Sequence, residues 1–212
     1  MIPIGDDNSS IRYVPVVTYL LIALNGVVFL LELSGGESFI MEWAYIPSRF
    51  LAAPLSNLPT LLTAMFMHGG WAHLIGNMLY LWIFGDNVED ALGRLKYLPF
   101  YLLSGLAATG AQTLFNPAST VPNVGASGAI AGVLGAYILL WPKSHIKVLL
   151  GRSMTEMPAL LVIGFWFVLQ FFSSLSGWSS TEDTGGVAYM AHIGGFLAGL
   201  LMAFLFKSTM RR

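Results

Sequence analysis

The 212-residue chain contains no cysteine. That absence excludes disulfides, thiolate metal ligands and a cysteine nucleophile together. Charge is also scarce: 10% of residues are charged, against about 25% in an ordinary soluble domain. Neither sign dominates, with 10 basic and 11 acidic side chains and a net charge of −1. No basic field exists to attract nucleic acid, so nucleic acid is not an expected partner. What the chain has in place of charge is apolar bulk, at 56% hydrophobic residues. So few charges cannot cover a soluble fold of this size. The composition points to an integral membrane protein whose first partner is the lipid bilayer. No residue cluster indicates a metal or an organic cofactor.

A membrane helix needs about 20 mostly apolar residues to cross about 30 Å of hydrocarbon. Six candidates are present, at 15–33, 71–91, 97–115, 126–141, 158–175 and 187–206. The stretch 58–67 is apolar but too brief to cross and reads as an interfacial segment. Six spans place Arg12, Arg94, Lys96, Lys143, Lys147, Arg152, Lys207, Arg211 and Arg212 on one side and Arg49 alone on the other. Basic residues concentrate on the cytoplasmic side, so both termini are expected there. Residues 1–12 hold Asp6, Asp7 and a single basic residue, which reads against a cleavable signal. The outer loops are then 34–70, 116–125 and 176–186. The first is long and rich in aromatic residues and proline, and the third is polar and glycine-rich, as a mobile cap would be.

A polar side chain inside a membrane helix is a functional candidate by default. Of the four histidines, His145 lies between Lys143 and Lys147 and reads as a solvated loop residue. His73 and Asn77 are spaced i, i+4 and share one helix face. They read either as donors aimed at one point or as polar glue between helices. His68, five residues earlier, reads as a loop-bonding residue.

Gly125-Ala126-Ser127-Gly128 opens the fourth span. Flanking glycines permit close approach of another chain, and a helix start leaves N–H groups free for a developing negative charge. The plainer reading is a small-residue helix contact, extended by Ala131, Gly132 and Gly135. His192 starts the sixth span and is followed by Gly195 and Gly199. If those two glycine faces pack, Ser127 and His192 end at similar depth, each near the outer start of its helix. A hydroxyl would then meet an imidazole base. The acidic residues in or near the spans are Glu32, Asp86, Glu89 and Asp90, and the last three fall at the inner end of the second span. A Ser-His dyad, rather than a Ser-His-Asp triad, is the available chemistry.

With these residues in hand, the chain resembles the rhomboid intramembrane serine proteases. The resemblance rests on His68 and His73-Leu74-Ile75-Gly76-Asn77, on Gly125-Ala126-Ser127-Gly128, and on Ala191-His192-Ile193-Gly194-Gly195 with Gly199. Phe84-Gly85, Glu89 and Gly93 add to it. It implies an all-α membrane protein: a six-transmembrane-helix bundle with a long first outer loop, one domain over 1–212 with its core at about 15–206. It implies Ser127 as nucleophile and His192 as general base. His73, Asn77 and the Ser127 backbone N–H would form the oxyanion hole. His68, Gly125, Gly128, Gly195 and Gly199 would be structural near the site, and Glu89 would tie down the first outer loop. No metal or cofactor is implied. One position departs from the family: some members carry an aromatic residue one turn after the serine, packing on the histidine ring, where this chain has Ala131. Tyr189 or another aromatic residue would have to substitute.

The expected substrates are single-pass transmembrane proteins, cut near the outer end of a span weakened by Gly, Pro or polar residues. The expected location is a prokaryotic plasma (inner) membrane, crossed several times. Two other functions fit parts of the pattern: a catalytically silent membrane-helix-binding protein and a small His-dependent transporter.

Overall fold

In the computed structural model of the protein, residues 1–9, 11–178 and 188–207 are described, with 173–178 as backbone only. Helix α1 spans Val16–Trp43. Three short helical segments follow, α2 (Pro47–Ala52), α3 (Pro54–Asn57) and α4 (Thr60–Thr63), and then a 3₁₀ turn at Ala64–Phe66. The remaining helices are α5 (Trp71–Leu92), α6 (Arg94–Phe115), α7 (Ser127–Leu140), α8 (Ala159–Trp178) and α9 (Tyr189–Phe206). Among the described residues, two of them, α1 and α9, are long and apolar enough to cross a membrane.

The burial pattern of α1 is inverted relative to a soluble helix. Its inward stripe is Thr18, Leu21, Asn25, Phe29 and Glu32, spaced three or four residues apart as one helix face requires. Its exposed face carries Leu20, Leu24, Val27, Leu30 and Leu31. The polar groups point into the bundle and the large apolar groups point out. This arrangement suits a hydrocarbon surround, where polar side chains find partners only among neighbouring helices. Two buried polar side chains bond back to their own helix: Asn25 donates to the Leu21 carbonyl at 2.7 Å, and Ser104 donates to the Phe100 carbonyl at 2.9 Å.

Helix α7 is the axis of the fold. Every residue from Gly128 to Tyr137 is buried, against α5, α6 and α9. Its most extensive partner is α9, and the reason is the absence of side chains. A methyl group built on Gly195 would run into the Gly128 carbonyl, and one on Gly199 into the Gly132 backbone. The facing surface is equally bare, since a methyl on Gly135 would meet the Phe196 carbonyl. The two helices therefore touch backbone to backbone, as the small-residue spacing predicts.

Two regions differ from the sequence expectation. The segment 34–43 is not loop: α1 continues to Trp43 across a kink at Gly36, where the backbone leaves helical geometry. The first connecting segment is correspondingly shorter. Arg49, the one basic residue expected on the outer side, donates from its guanidinium to the Met41 and Ala44 carbonyls and so terminates α1. The second difference is a small antiparallel sheet in a chain expected to be all-α. Strand β1 (Ile2–Gly5) pairs with β2 (His145–Leu150), which pairs with β3 (Ser153–Pro158). The stretch 142–157, left between the fourth and fifth expected spans, reads from sequence as a loop. Its alternation of buried Ile146 and Val148 with exposed neighbours is the period-2 pattern of a strand with one covered face. Because β1 and β2 are hydrogen-bonded, the N-terminal segment and the α7–α8 connection lie at the same end of the bundle.

That end is also where Glu89 acts. It was expected to hold the first outer loop, but its carboxylate accepts from the Val17 and Thr18 N–H groups at 2.9 and 2.7 Å and from the Thr18 hydroxyl at 2.8 Å. Glu89 thus caps the start of α1, where an anion complements the free N–H groups. Asp90 accepts from the Arg12 and Tyr13 N–H groups beside it.

Asp6, which follows β1, accepts from the Tyr137 hydroxyl at 2.7 Å. Burial, with Asp7 alongside, pushes its carboxyl from the ordinary 3.8 up to about 6, even though the Tyr137 bond pulls the other way. The folded protein therefore holds this proton more tightly than the unfolded chain does. Ionising Asp6 removes stability as the pH rises from about 4 through about 6. Asp6→Asn, which keeps an acceptor for Tyr137, should melt level with wild type at pH 4 and above it at pH 7. Thermal unfolding in detergent at both pH values checks this, and an equal offset at both would contradict it.

Candidate active site

Ser127 is the first residue of α7, and no side chain caps this helix start. Its N-terminal N–H groups therefore remain available to a ligand. His192 lies in the first turn of α9 and is 8% exposed. The glycine contact between α7 and α9 brings these two helix starts together. His192 Nε2 lies 2.7 Å from Ser127 Oγ.

The other imidazole nitrogen fixes the direction of that bond. His192 Nδ1 lies 2.7 Å from Gln170 Oε1, on α8. An amide oxygen only accepts, so Nδ1 carries the ring proton and Nε2 is left with its lone pair toward Ser127. The serine hydroxyl donates and the histidine accepts. This is the polarity that activates an alcohol as a nucleophile.

His73 and Asn77 come from α5, one turn apart on the same face. The Gly69 N–H donates to His73 Nδ1 at 3.3 Å, which puts the proton of a neutral ring on Nε2. That nitrogen faces Gly125, where an added Cβ would sit 3.0 Å from it and 3.5 Å from Ser127 Oγ. The His73 Nε2–H is thus a donor directed at the space beside the serine. Asn77 is buried, and its amide nitrogen has no hydrogen-bond partner. A buried amide donor left unpaired costs free energy unless a ligand engages it.

Gly125 allows this crowding. Its φ is +135°, a region closed to residues with a side chain, and a methyl there would come within 2.9 Å of the His73 ring. The Gly125 N–H is anchored to the Ala64 carbonyl at 2.9 Å. His68 is 2% exposed and packs edge-on against His73, with ring centroids 5.1 Å apart at 69°. Its backbone N–H donates to both carboxylate oxygens of Glu32 at 3.1 and 3.0 Å. Glu32 therefore ties α1 to the segment that carries His73.

The aromatic partner of His192 is not Tyr189. It is Trp166 of α8, with ring centroids 5.7 Å apart and tilted 36°. Sequence reasoning missed Trp166, Gln170 and Glu32. The signal for two of them was present: Gln170 interrupts the apolar run 159–172, and Glu32 is the only charged side chain in the span 15–33. The segment 176–186, expected to cap the site, falls from residue 179 outside the described residues. Among the described residues, no cluster of three or more His, Cys, Asp and Glu could hold a metal ion.

Residues 56–209 match the family model described as the Rhomboid domain. The chain belongs to the rhomboid family. Membership makes it an integral membrane protein. Curated relatives agree. The chain is 33% identical over 195 residues to the rhomboid protease GluP of Bacillus subtilis, covering 89% of this chain and 34% of that protein. It is 28% identical to the putative rhomboid protease YdcA of the same organism, covering 92% of this chain and 90% of that one. It is 29% identical to the mitochondrial rhomboid protein 1 of Saccharomyces cerevisiae, covering 92% of this chain and 54% of that one. The chain thus spans about a third of GluP, about half of the yeast protein and nearly all of YdcA.

The fit at Gly125 predicts a specific cost. Gly125→Ala combines a strained backbone with a collision against His73 and should lower stability by about 1–3 kcal/mol. Gly110→Ala, at a position where a methyl meets nothing within 4 Å, should be neutral or mildly stabilising. Thermal unfolding of the two variants side by side tests the contrast.

Proposed function

We propose that this rhomboid-family protein is an intramembrane serine endopeptidase acting through a Ser127–His192 dyad. The observation that carries the reading is the 2.7 Å contact from Ser127 Oγ to His192 Nε2, with the other ring nitrogen held by an acceptor. The naming of relatives as proteases supports the reaction class. It is the reason to prefer this reading over a silent helix-binding protein or a transporter.

In the proposed reaction the Ser127 hydroxyl passes its proton to His192 Nε2 as Oγ bonds to the scissile carbonyl carbon. The carbonyl oxygen becomes an oxyanion. His73 Nε2–H, the Asn77 amide and the Ser127 backbone N–H are its donors. His192 then gives the proton to the departing amine as the C–N bond breaks. Water attacks the resulting acyl-enzyme, His192 takes the water's proton, and Ser127 is restored. The unpartnered Asn77 amide makes sense here. A donor without a resting partner need break no bond before meeting the oxyanion.

The six helices of 14 or more residues are taken as six spans, with both termini and the small sheet on the cytoplasmic side, where nine of the ten basic residues fall. Helix α7 has 14 residues and rises about 21 Å, short of a hydrocarbon core about 30 Å thick. Ser127 then opens below the outer surface, within the slab, and its substrates are single-pass membrane proteins. A prokaryotic plasma membrane is the proposed setting.

Labelling in detergent with a serine-directed fluorophosphonate tests the dyad. Wild type should be modified, and Ser127→Ala and His192→Ala should not. Asn77→Ala should fold normally and lose about 10²–10³-fold in turnover. Labelling that survives in Ser127→Ala would place the reactive serine elsewhere.

A scissile bond inside a helix is shielded by its own hydrogen bonds, so the substrate must unwind locally. Replacing Gly, Pro or polar residues near the outer end of a substrate span with leucine should slow cleavage. Undiminished cleavage in a reconstituted assay would refute the unwinding requirement.

A further inference from the structure

We infer that Gln170 is a positioning residue for His192 that occupies the role a carboxylate fills in a Ser-His-Asp triad. The inference rests on the dyad reading above and extends it to a third helix.

Three observations carry it. Gln170 Oε1 meets His192 Nδ1 at 2.7 Å, on the side of the ring opposite the Ser127 contact at 2.7 Å. Trp166 lies one helical turn before Gln170 on α8, and its ring packs on the same imidazole at 5.7 Å. One side chain holds the ring through a hydrogen bond at its edge and the other through a tilted ring contact, so both its orientation and its proton position are constrained from α8. Among the described residues no carboxylate is bonded to the His192 ring: Glu32 is engaged with the His68 N–H and Glu89 with the start of α1.

The choice of an amide follows from the surroundings. A carboxylate buried beside a neutral imidazole would have to be desolvated as a charge, at a cost of several kcal/mol. An amide oxygen accepts the Nδ1 proton without that cost. It selects the same tautomer, the one that leaves Nε2 free to take the serine proton. What it gives up is the full charge that would stabilise an imidazolium, so each hydrogen bond and the Trp166 contact carry more of the orientation. Gln170 never approaches the reacting atoms, and its effect passes entirely through His192.

The test compares Gln170→Met, which keeps the length and removes the acceptor, with Gln170→Glu, which restores an oxygen acceptor in either protonation state. The measurements are fluorophosphonate labelling rate, kcat and KM on a transmembrane substrate, and Tm. The expected result is a fall of about tenfold in labelling rate and kcat for Gln170→Met, the scale of a neutral hydrogen bond, with KM unchanged. Gln170→Glu should recover most of the loss. Wild-type rates in Gln170→Met would overturn the inference, as would equal losses in both variants, because the acceptor would then be irrelevant. Failure of wild type to label at all would instead remove the dyad reading, so the two failures are distinguishable.

Discussion

Everything at the site depends on how closely the backbones of α7 and α9 approach. Gly195 lies against the Gly128 carbonyl and Gly199 against the Gly132 backbone. A single methyl at either position would push the helices apart by more than a hydrogen bond can stretch. The serine and the histidine are each placed by a helix start rather than by a flexible loop. Their separation is therefore inherited from a rigid packing contact several residues deeper. In hydrocarbon there is no hydrophobic drive to bring helices together, so contact of this kind must come from dispersion and shape. The glycines supply the shape. The same contact that stabilises the bundle thus sets the geometry of the proposed chemistry, and a substitution that loosens one loosens the other.

A second constraint is the economy of charge around the dyad. The serine, both site histidines, Asn77 and Gln170 can all be neutral at rest, and Glu32 and Glu89 are engaged by backbone N–H groups. Isolated charge in this setting would be costly. The protein instead assembles polarity from amide and imidazole dipoles, each fixed by a neighbour. Gly69 fixes His73, and Gln170 fixes His192. Hydrogen-bond direction, more than net charge, is what the fold encodes here.

The sequence made some of this legible and hid the rest for physical reasons. The glycine spacing at 128, 132, 195 and 199 predicted the α7–α9 contact because small residues at helical spacing have few other uses in lipid. The pairing of His73 with Asn77 was visible because i, i+4 is a local relation. The β1–β2 pairing was missed because about 140 residues of chain separate the two strands, whereas the β2–β3 hairpin is local, turning at Gly151-Arg152, and went unread because the segment was taken whole as a loop. Glu89 was read at the inner end of its span, where it is found, but was given the wrong partner, because that partner was taken from family likeness rather than from its position at the close of α5. Trp166 and Gln170 went unread because nothing in α8 alone says which of its faces meets α9. One polar residue in an apolar run signals importance without naming a partner.

The sheet has a mechanical consequence. Through Ala159 and Leu160, whose N–H groups bond the Ser144 and Pro142 carbonyls, the base of α8 is pinned to β2, β3 and, across them, to the N-terminal strand. Its buried apolar residues, Ala159, Val162 and Ile163, cluster at that base, while Phe165, Val168, Leu169 and Phe172 are exposed further along. A rod hinged at its foot swings most at its tip. Gln170 stands 11 residues up, about 16 Å from the pivot. A tilt of a few degrees, too small to disturb the foot of the helix, would draw the amide off the imidazole and leave the proposed general base unaligned.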